Sequence, residues 1–84
     1  MEEVYARTLY VGGLPPETDS SDLRALFDPF GELEAARVIM RSRREGCRGF
    51  GYVTFFTDVA AREAKGALDG REIDGSRLRV AEAR

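Results

Sequence analysis

The sequence predicts an α+β fold in which two helices cover one face of a four-stranded antiparallel sheet. The 84 residues leave room for a single hydrophobic core. Segments rich in aromatic and β-branched residues alternate with two segments of helical apolar spacing, in the order β-α-β-β-α-β. Because each helix has one apolar stripe, the two helices cover only one face of the sheet.

The first half of the chain contains a strand, a helix and a second strand. Residues 8–11 form a β-rich run that ends at a pair of glycines. Thr18 or Asp19 is positioned to cap the helix, and Pro29 and Gly31 end it. The apolar stripe of this helix has the spacing i, i+3, i+4 and i+7 and consists of Leu23, Leu26, Phe27 and Phe30. Residues 33–40 form the second strand.

The second half begins with an arginine-rich loop over residues 41–48. Residues 49–56 then form the strongest predicted strand, and a helix follows from a cap at Thr57 or Asp58 through Ala64 to Leu68. Ile73 belongs to a short edge segment, and residues 77–81 form the last strand. This order of elements is the ferredoxin-like, or split βαβ, arrangement.

Alternation along the strands separates a core face from an open face. The core phase, which lies beneath the helices, consists of Leu9, Val11, Val53, Phe55, Leu78 and Val80. The opposite phase contains three aromatic and two basic residues, namely Tyr10, Phe50, Tyr52, Arg48 and Arg79. An apolar patch on an uncovered sheet face is typical of a binding site.

Nucleic-acid bases are the ligands that fit such a face. Aromatic rings along a strand stack on successive bases, with about 1–3 kcal/mol for each base, and arginines at their margin contact phosphates. Alternation also places Arg37 at this margin. The second strand has two possible registers, which place either Ile39 or Met40 on the open face. Arg44, in the loop, is a further candidate for a phosphate contact.

Two motifs resemble those of the RNA recognition motif family. The family's octapeptide, K/R-G-F/Y-G/A-F-V-x-F/Y, is similar to residues 48–55, Arg-Gly-Phe-Gly-Tyr-Val-Thr-Phe, with tyrosine in place of one phenylalanine. The family's hexapeptide on the first strand is similar to residues 9–14, Leu-Tyr-Val-Gly-Gly-Leu. The resemblance spans about residues 7–82, and one departure is Lys65, where the family usually has an apolar residue.

The resemblance implies roles for individual residues. It implies that Tyr10 and Phe50 stack on two neighbouring bases, and that Tyr52 packs against sugars or between two nucleotides. It also implies that Arg48 pairs with a phosphate and that residues 81–84 line the edge of the platform. The predicted RNA-binding residues are therefore Tyr10, Phe50, Tyr52, Arg48, Arg79, Arg37 and Arg44.

The overall charge is less favourable to RNA than the aromatic pattern. Thirteen basic and fifteen acidic residues give a net charge of −2 and a pI of about 5.1. The charges are segregated, however, since residues 41–48 contain four arginines and one acid, whereas residues 17–34 contain six acids and one arginine. Such segregation creates local fields of opposite sign.

Several classes of function are excluded or disfavoured. The chain has no histidine and one cysteine, which excludes catalysis by a histidine base, a structural zinc site and an internal disulfide. Without a glycine-rich phosphate loop bearing a Lys or His, or paired acids on the open face, an acylphosphatase-like enzyme is disfavoured. We expect no enzymatic activity, no cofactor, no metal and no membrane association.

The leading hypothesis is a single RNA-binding domain over residues 1–84 that acts as a monomer and contacts about two to four nucleotides of single-stranded RNA. The alternative is a family member that binds a peptide through its sheet or its acidic helical face. We expect an intracellular protein, cytoplasmic if the source is bacterial and nuclear or cytoplasmic if it is eukaryotic.

Overall fold

The predicted order of helices and major strands is confirmed. The computed structural model describes residues 4–39 and 49–83. Its elements are β1 (Thr8–Leu14), α1 (Ser20–Phe27), β2 (Leu33–Ile39), β3 (Gly49–Phe55), α2 (Asp58–Leu68), β4 (Glu72–Ile73), β5 (Ser76–Arg77) and β6 (Arg79–Glu82). Short 3-10 helices lie at Val4–Arg7 and Asp28–Phe30.

The main sheet has four strands in the order β2-β3-β1-β6, and all neighbouring strands are antiparallel. β1 and β3 are therefore the central strands, and they carry the two motifs found in the sequence. β4 and β5 form a separate two-stranded hairpin. None of the helices in residues 4–39 and 49–83 is long and apolar enough to span a bilayer.

The last predicted strand, residues 77–81, is wrong in its extent because the pairing changes within it. Arg77 belongs to β5, whereas β6 begins at Arg79. The backbone of Leu78 between them bonds to a different segment: its N–H donates to the Arg71 carbonyl at 2.8 Å and its carbonyl accepts from the Gly70 N–H at 2.9 Å. Alternation nevertheless holds across the break, since Leu78 and Val80 are buried and Arg79 is exposed.

Both helices begin at side-chain caps. Asp19 Oδ1 accepts from the Asp22 N–H at 2.8 Å, and Asp22 Oδ2 accepts from the Asp19 N–H at 3.2 Å, which completes a capping box. Thr57 Oγ1 accepts from the Ala60 N–H at 3.2 Å. The α-helix α1 ends earlier than its apolar stripe, because Pro29 lies in the 3-10 turn that follows.

A single core lies between the helices and one face of the sheet. Each strand residue predicted for the core is buried, and Phe27 of α1 packs on Phe55 of β3 with ring centroids 6.2 Å apart. Leu14 and Leu33 add to the strand side of this core. The helices contribute Leu23 and Phe27 of α1 and three alanines and Leu68 of α2. The described part of the chain places no helix over the other face, which is the open face considered below.

Candidate nucleic-acid interface

Strand register arranges the residues of the open face in rows across the sheet. In antiparallel pairs, residues directly opposite each other point to the same face. The tyrosine row runs from one edge to the other through Arg37, Tyr52, Tyr10 and Ala81. The phenylalanine row contains the pairs Ile39–Phe50 and Gly12–Arg79, which lie on either side of a shift in the β1–β3 register between Val11 and Leu14. The threonine row contains Ala35, Thr54 and Thr8. Neighbouring rows are two residues, or about 6.8 Å, apart along a strand.

Tyr10, Phe50 and Tyr52 form one contiguous aromatic platform, as predicted. The Tyr10 ring lies 5.8 Å from Phe50 with 34° between the planes and 5.8 Å from Tyr52 with 67° between the planes. Phe50 and Tyr52 are 6.2 Å apart and nearly perpendicular. These are the separations of rings in mutual contact, so each ring restricts the others before a ligand arrives. Tyr52 is the most accessible, at 36% exposed.

Gly12 determines where the Tyr10 ring lies. A Cβ atom at Gly12 would be 2.7 Å from the Tyr10 hydroxyl oxygen, 3.0 Å from Cε2 and 3.1 Å from Cζ. The ring therefore lies across the Gly12 backbone and reaches from its own row into the phenylalanine row, which accounts for its contact with Phe50. From the sequence, Gly12 was assigned only to a turn. The feature that could have indicated its contact with the Tyr10 ring is its position two residues after Tyr10, on the same face of the strand.

Arg37 and Arg79 lie at opposite margins of the platform, as alternation predicted. Both are exposed, Arg37 on the edge strand β2 opposite Tyr52 and Arg79 on the edge strand β6 opposite Gly12. The register of β2 also places Ile39 on the open face, opposite Phe50. The predicted site residues Arg44 and Arg48, together with Met40, lie outside the described residues.

Three acidic residues of the described chain, Asp19, Asp22 and Glu34, make contacts away from the platform. Asp19 and Asp22 cap α1, on the opposite side of the sheet. Glu34, near one end of the sheet, accepts a hydrogen bond at 2.8 Å from Arg7, whose guanidinium also donates to the Phe55 carbonyl at 2.9 Å. The described residues thus place the capping carboxylates of α1 on the helical side and Arg37 and Arg79 at the margins of the open face.

The threonine row is a feature that the sequence analysis did not assign to the site. The Oγ1 atoms of Thr8 and Thr54 are 3.0 Å apart, and either atom could be the donor. Beside them, Ala35 contributes only a methyl group to the row. In the sequence, only position could have indicated that Thr8 and Thr54 lie on the open face, because each is two residues from a platform tyrosine and therefore in the same phase of its strand.

In the parts of the chain that the structure describes, no group of three His, Cys, Asp or Glu side chains is placed to hold a metal ion. The open face itself offers ring faces, hydroxyl groups and guanidinium groups. Ring faces stack on planar groups, and guanidinium groups pair with phosphates.

Comparisons with known proteins agree with this geometry. The RNA recognition motif model matches residues 9–79. Glycine-rich RNA-binding protein 4, mitochondrial, of Arabidopsis thaliana is 42% identical over 72 residues, which cover 86% of this chain and 53% of that protein. The chloroplastic 28 kDa ribonucleoprotein of Spinacia oleracea is 41% identical over 72 residues, which cover 86% of this chain and 31% of that protein.

Among solved structures, RNA Binding Protein PG1 is similar to this chain, with 37% identity, a TM-score of 0.80, and coverage of 92% of this chain and 93% of that one. The match thus covers nearly all of both chains. It spans only 31% and 53% of the lengths of the two plant relatives.

Proposed function

This chain belongs to the RNA recognition motif family, and from that premise we propose that it binds single-stranded RNA across the open face of its sheet. The observation that carries the proposal is the contiguous platform of Tyr10, Phe50 and Tyr52 on the two central strands. Family membership supports a binding role rather than a catalytic one. The names of the matched relatives, which include RNA-binding proteins, support RNA as the ligand.

Stacking on the platform selects unpaired nucleotides. In a duplex each base is already stacked between its neighbours, whereas the bases of loops and single strands present free faces. The rings of the platform touch one another, so little side-chain order remains to be established on binding. Each stacked base contributes about 1–3 kcal/mol with little dependence on its identity.

Arginines at the margins supply the electrostatic part of the proposal. Arg37 and Arg79 lie at opposite edges of the sheet, so a strand of RNA that crosses the platform passes within reach of both. We include Arg44 and Arg48 on the basis of the sequence alone. Phosphate contacts of this kind position the RNA without reading its bases, and they weaken as the salt concentration rises.

The test is a titration of a fluorescently labelled, mixed-sequence RNA octamer with the wild-type chain, Phe50→Ala and Val59→Ala. Val59 is a matched control because it is an exposed apolar residue, at 52%, on α2 and thus on the helical side. We expect Phe50→Ala to weaken binding by about 1–3 kcal/mol. Val59→Ala should bind like the wild type. Equal affinity of all three proteins would contradict the proposed site.

Chemical denaturation of the same variants checks that the faces are assigned correctly. Phe50 lies in the phase opposite to the buried residues of β3, so its truncation should leave the free energy of unfolding nearly unchanged. A large loss of stability with unchanged RNA affinity would mean that Phe50 supports the core instead.

Peptide binding on the helical side is the second candidate function. Two observations favour it: the capping carboxylates of α1 are exposed, and Val59 on α2 is more than half exposed. An acidic surface with an apolar contact fits a basic, amphipathic peptide. An NMR titration with such a peptide should shift α1 and α2 resonances and leave β1 and β3 unchanged, whereas shifts confined to β1 and β3 would count against it.

We further propose that residues 1–84 act as one monomeric module inside the cell. The fold supports a single module, because the helices and the sheet share one core. We add organelles to the cytoplasm and the nucleus as proposed locations, because matched relatives are named as chloroplastic and mitochondrial. Light scattering of the free protein tests the oligomeric state, and a mass near twice 9.3 kDa would contradict it.

A further inference from the structure

β6 is an edge strand of the main sheet, and it carries Arg79 at the margin of the aromatic platform. Arg79 lies opposite Gly12 of β1, and residues opposite each other in an antiparallel pair have Cα atoms about 4.5–5.5 Å apart. The Tyr10 ring lies across Gly12, since a Cβ atom there would be 2.7 Å from the Tyr10 hydroxyl oxygen. The position of β6 therefore determines how far the Arg79 side chain lies from a ring that is proposed to stack on a base.

Only one side of β6 pairs with another strand of the sheet. In an antiparallel pair, alternate residues direct both of their backbone groups toward the neighbouring strand. The Ala83 N–H donates to the Thr8 carbonyl at 3.0 Å, so residues 79, 81 and 83 direct their backbone groups toward β1. Val80 has the opposite phase, and its N–H therefore points away from β1.

The Asp69 side chain supplies the acceptor for this outward N–H. Asp69 lies at the C-terminal end of α2, and its Oδ1 atom accepts from the Val80 N–H at 2.9 Å. The two residues after Asp69 bond to the residue before β6, since the Gly70 N–H donates to the Leu78 carbonyl and the Arg71 carbonyl accepts from the Leu78 N–H. The Asp69 carboxylate thus extends to β6 the row of hydrogen bonds that begins at Leu78.

Asp69 ends α2 through its backbone, so its carboxylate is not needed to terminate the helix. The Asp69 N–H donates to the Lys65 carbonyl at 3.0 Å, and the Arg71 N–H donates to the Leu68 carbonyl at 3.1 Å. These two bonds do not depend on the side chain at position 69. The contact with Val80 can therefore be removed by mutation while the end of the helix is retained.

The Arg79 guanidinium forms no ion pair with any residue that the structure describes. Arg7, Arg62 and Arg77, in contrast, each contact a carboxylate. Arg79 can therefore pair with a phosphate without first losing a partner of its own. Whether it reaches that phosphate depends on where β6 places it.

We propose that Asp69 is a positioning residue for RNA binding, which holds β6 so that Arg79 lies beside the platform. This inference rests on the proposed RNA-binding function. When the Asp69 carboxylate is removed, the Val80 N–H loses its acceptor, and the four residues of β6 are held by β1 alone. Arg79 then shifts relative to Tyr10, and its contact with the phosphate of the stacked nucleotide weakens.

The test is the salt dependence of RNA octamer binding by Asp69→Ala, Asp69→Asn and Asp19→Ala. One phosphate contact to a single strand contributes about 0.7 to the slope of log affinity against log salt, which corresponds to about fivefold in affinity at about 0.1 M salt. We expect Asp69→Ala to lose up to this slope and this affinity relative to Asp19→Ala. Asp69→Asn keeps the Oδ1 acceptor and should retain the wild-type slope.

Asp19→Ala is a matched control for the loss of a carboxylate. It removes the same charge as the two Asp69 variants, so any general gain in RNA affinity from that loss is common to all three. It also removes an equivalent bond, because Asp19 Oδ1 accepts from the Asp22 N–H at 2.8 Å. That bond caps α1, away from β6, so the salt slope of Asp19→Ala should equal that of the wild type.

A double-mutant cycle shows whether Asp69 acts through Arg79. In an Arg79→Ala background, Asp69→Ala should cause no further loss of slope or affinity, because the guanidinium that it positions is absent. Amide hydrogen exchange at Val80 should be faster in Asp69→Ala than in the wild type or in Asp69→Asn. Chemical denaturation establishes that each variant is folded. Asp69→Ser, whose hydroxyl reaches one bond less far than the carboxylate, replaces Asp69→Ala if that variant is unfolded.

Failure of this role for Asp69 is distinguishable from failure of the RNA-binding function. The role is overturned if Asp69→Ala keeps the wild-type slope, if Asp69→Asn loses as much as Asp69→Ala, or if the loss is equally large in the Arg79→Ala background. In each case, weaker binding by Phe50→Ala would leave the platform standing. If the wild-type chain binds no RNA even at low salt, the proposed function itself is wrong.

Discussion

Replacing Gly12 by alanine should impair RNA binding without impairing the fold. The new Cβ atom would lie 2.7 Å from the Tyr10 hydroxyl oxygen and 3.0 Å from Cε2, whereas unstrained heavy-atom contacts involving carbon need about 3.5–4.0 Å. The ring therefore has to move by about 0.5–1 Å. Phe50 and Tyr52, with centroids 5.8 Å away, restrict sideways movement, so the ring tilts off the sheet.

The expected loss is about 1 kcal/mol, or about fivefold in affinity. This is the low end of the 1–3 kcal/mol that a stacked base contributes, because a tilted ring loses only part of its stacking. The stability should change in the opposite direction. Gly12 is not among the glycines with positive φ, so alanine adopts its backbone conformation without strain. Alanine also restricts the unfolded chain, which favours folding by about 0.4–1 kcal/mol.

The assay is a double-mutant cycle with the RNA octamer. Gly12→Ala is measured in the wild type and in a Tyr10→Ala background, and each protein is also unfolded chemically. If the methyl group acts by displacing the ring, it should cost nothing once the ring is absent. The reasoning is refuted if Gly12→Ala binds as tightly as the wild type, or if the loss is equally large in the Tyr10→Ala background. The second result would mean that the methyl group obstructs the RNA directly.

The remaining predictions concern Arg48 in the loop, Gly13 on β1 and Phe55 in the core. Arg48→Ala should reduce the slope of log affinity against log salt by about 0.7 for every RNA sequence, and a slope equal to that of the wild type would exclude a phosphate contact. Gly13→Ala should destabilise the fold by at least about 1–2 kcal/mol in urea unfolding, because Gly13 has φ 72° and its Cβ would collide with the Arg77 carbonyl. Phe55→Ala should cost about 3–5 kcal/mol of stability by leaving a cavity, and a cost below 1 kcal/mol would contradict full burial.

Most of the fold could be predicted because its signals are local. The apolar phase of β1 and β3, the helix caps and the apolar stripes each depend on residues close together in the chain. The last strand shows the limit of this reasoning. Its alternation is continuous through Leu78, yet the structure divides it, because the backbone of Leu78 bonds to Gly70 and Arg71 rather than to β1. The period-2 pattern of a strand does not depend on which distant segment of the chain its backbone bonds to, so the pattern could not predict this division.

The site divides in the same way. Alternation and the two motifs were enough to place Tyr10, Phe50 and Tyr52 together on the open face, and their contacts confirm that placement. Alternation left two registers for β2. Pairing of Arg37 with Tyr52 selects one of them, since the hydrogen bonds between strands determine which residues face each other.

The sequence by itself thus determined which face of the sheet is apolar, which aromatic residues lie on the other face, and the family to which the motifs point. Its periodicity carries this information because each residue's side of a strand depends only on its neighbours. Tertiary structure alone decided that Gly12 makes room for the Tyr10 ring, that Thr8 contacts Thr54, and that the capping carboxylates of α1 lie opposite the platform. These relations join residues through strand pairing and packing, and the distance between two atoms across a sheet is not encoded in the local pattern around either one.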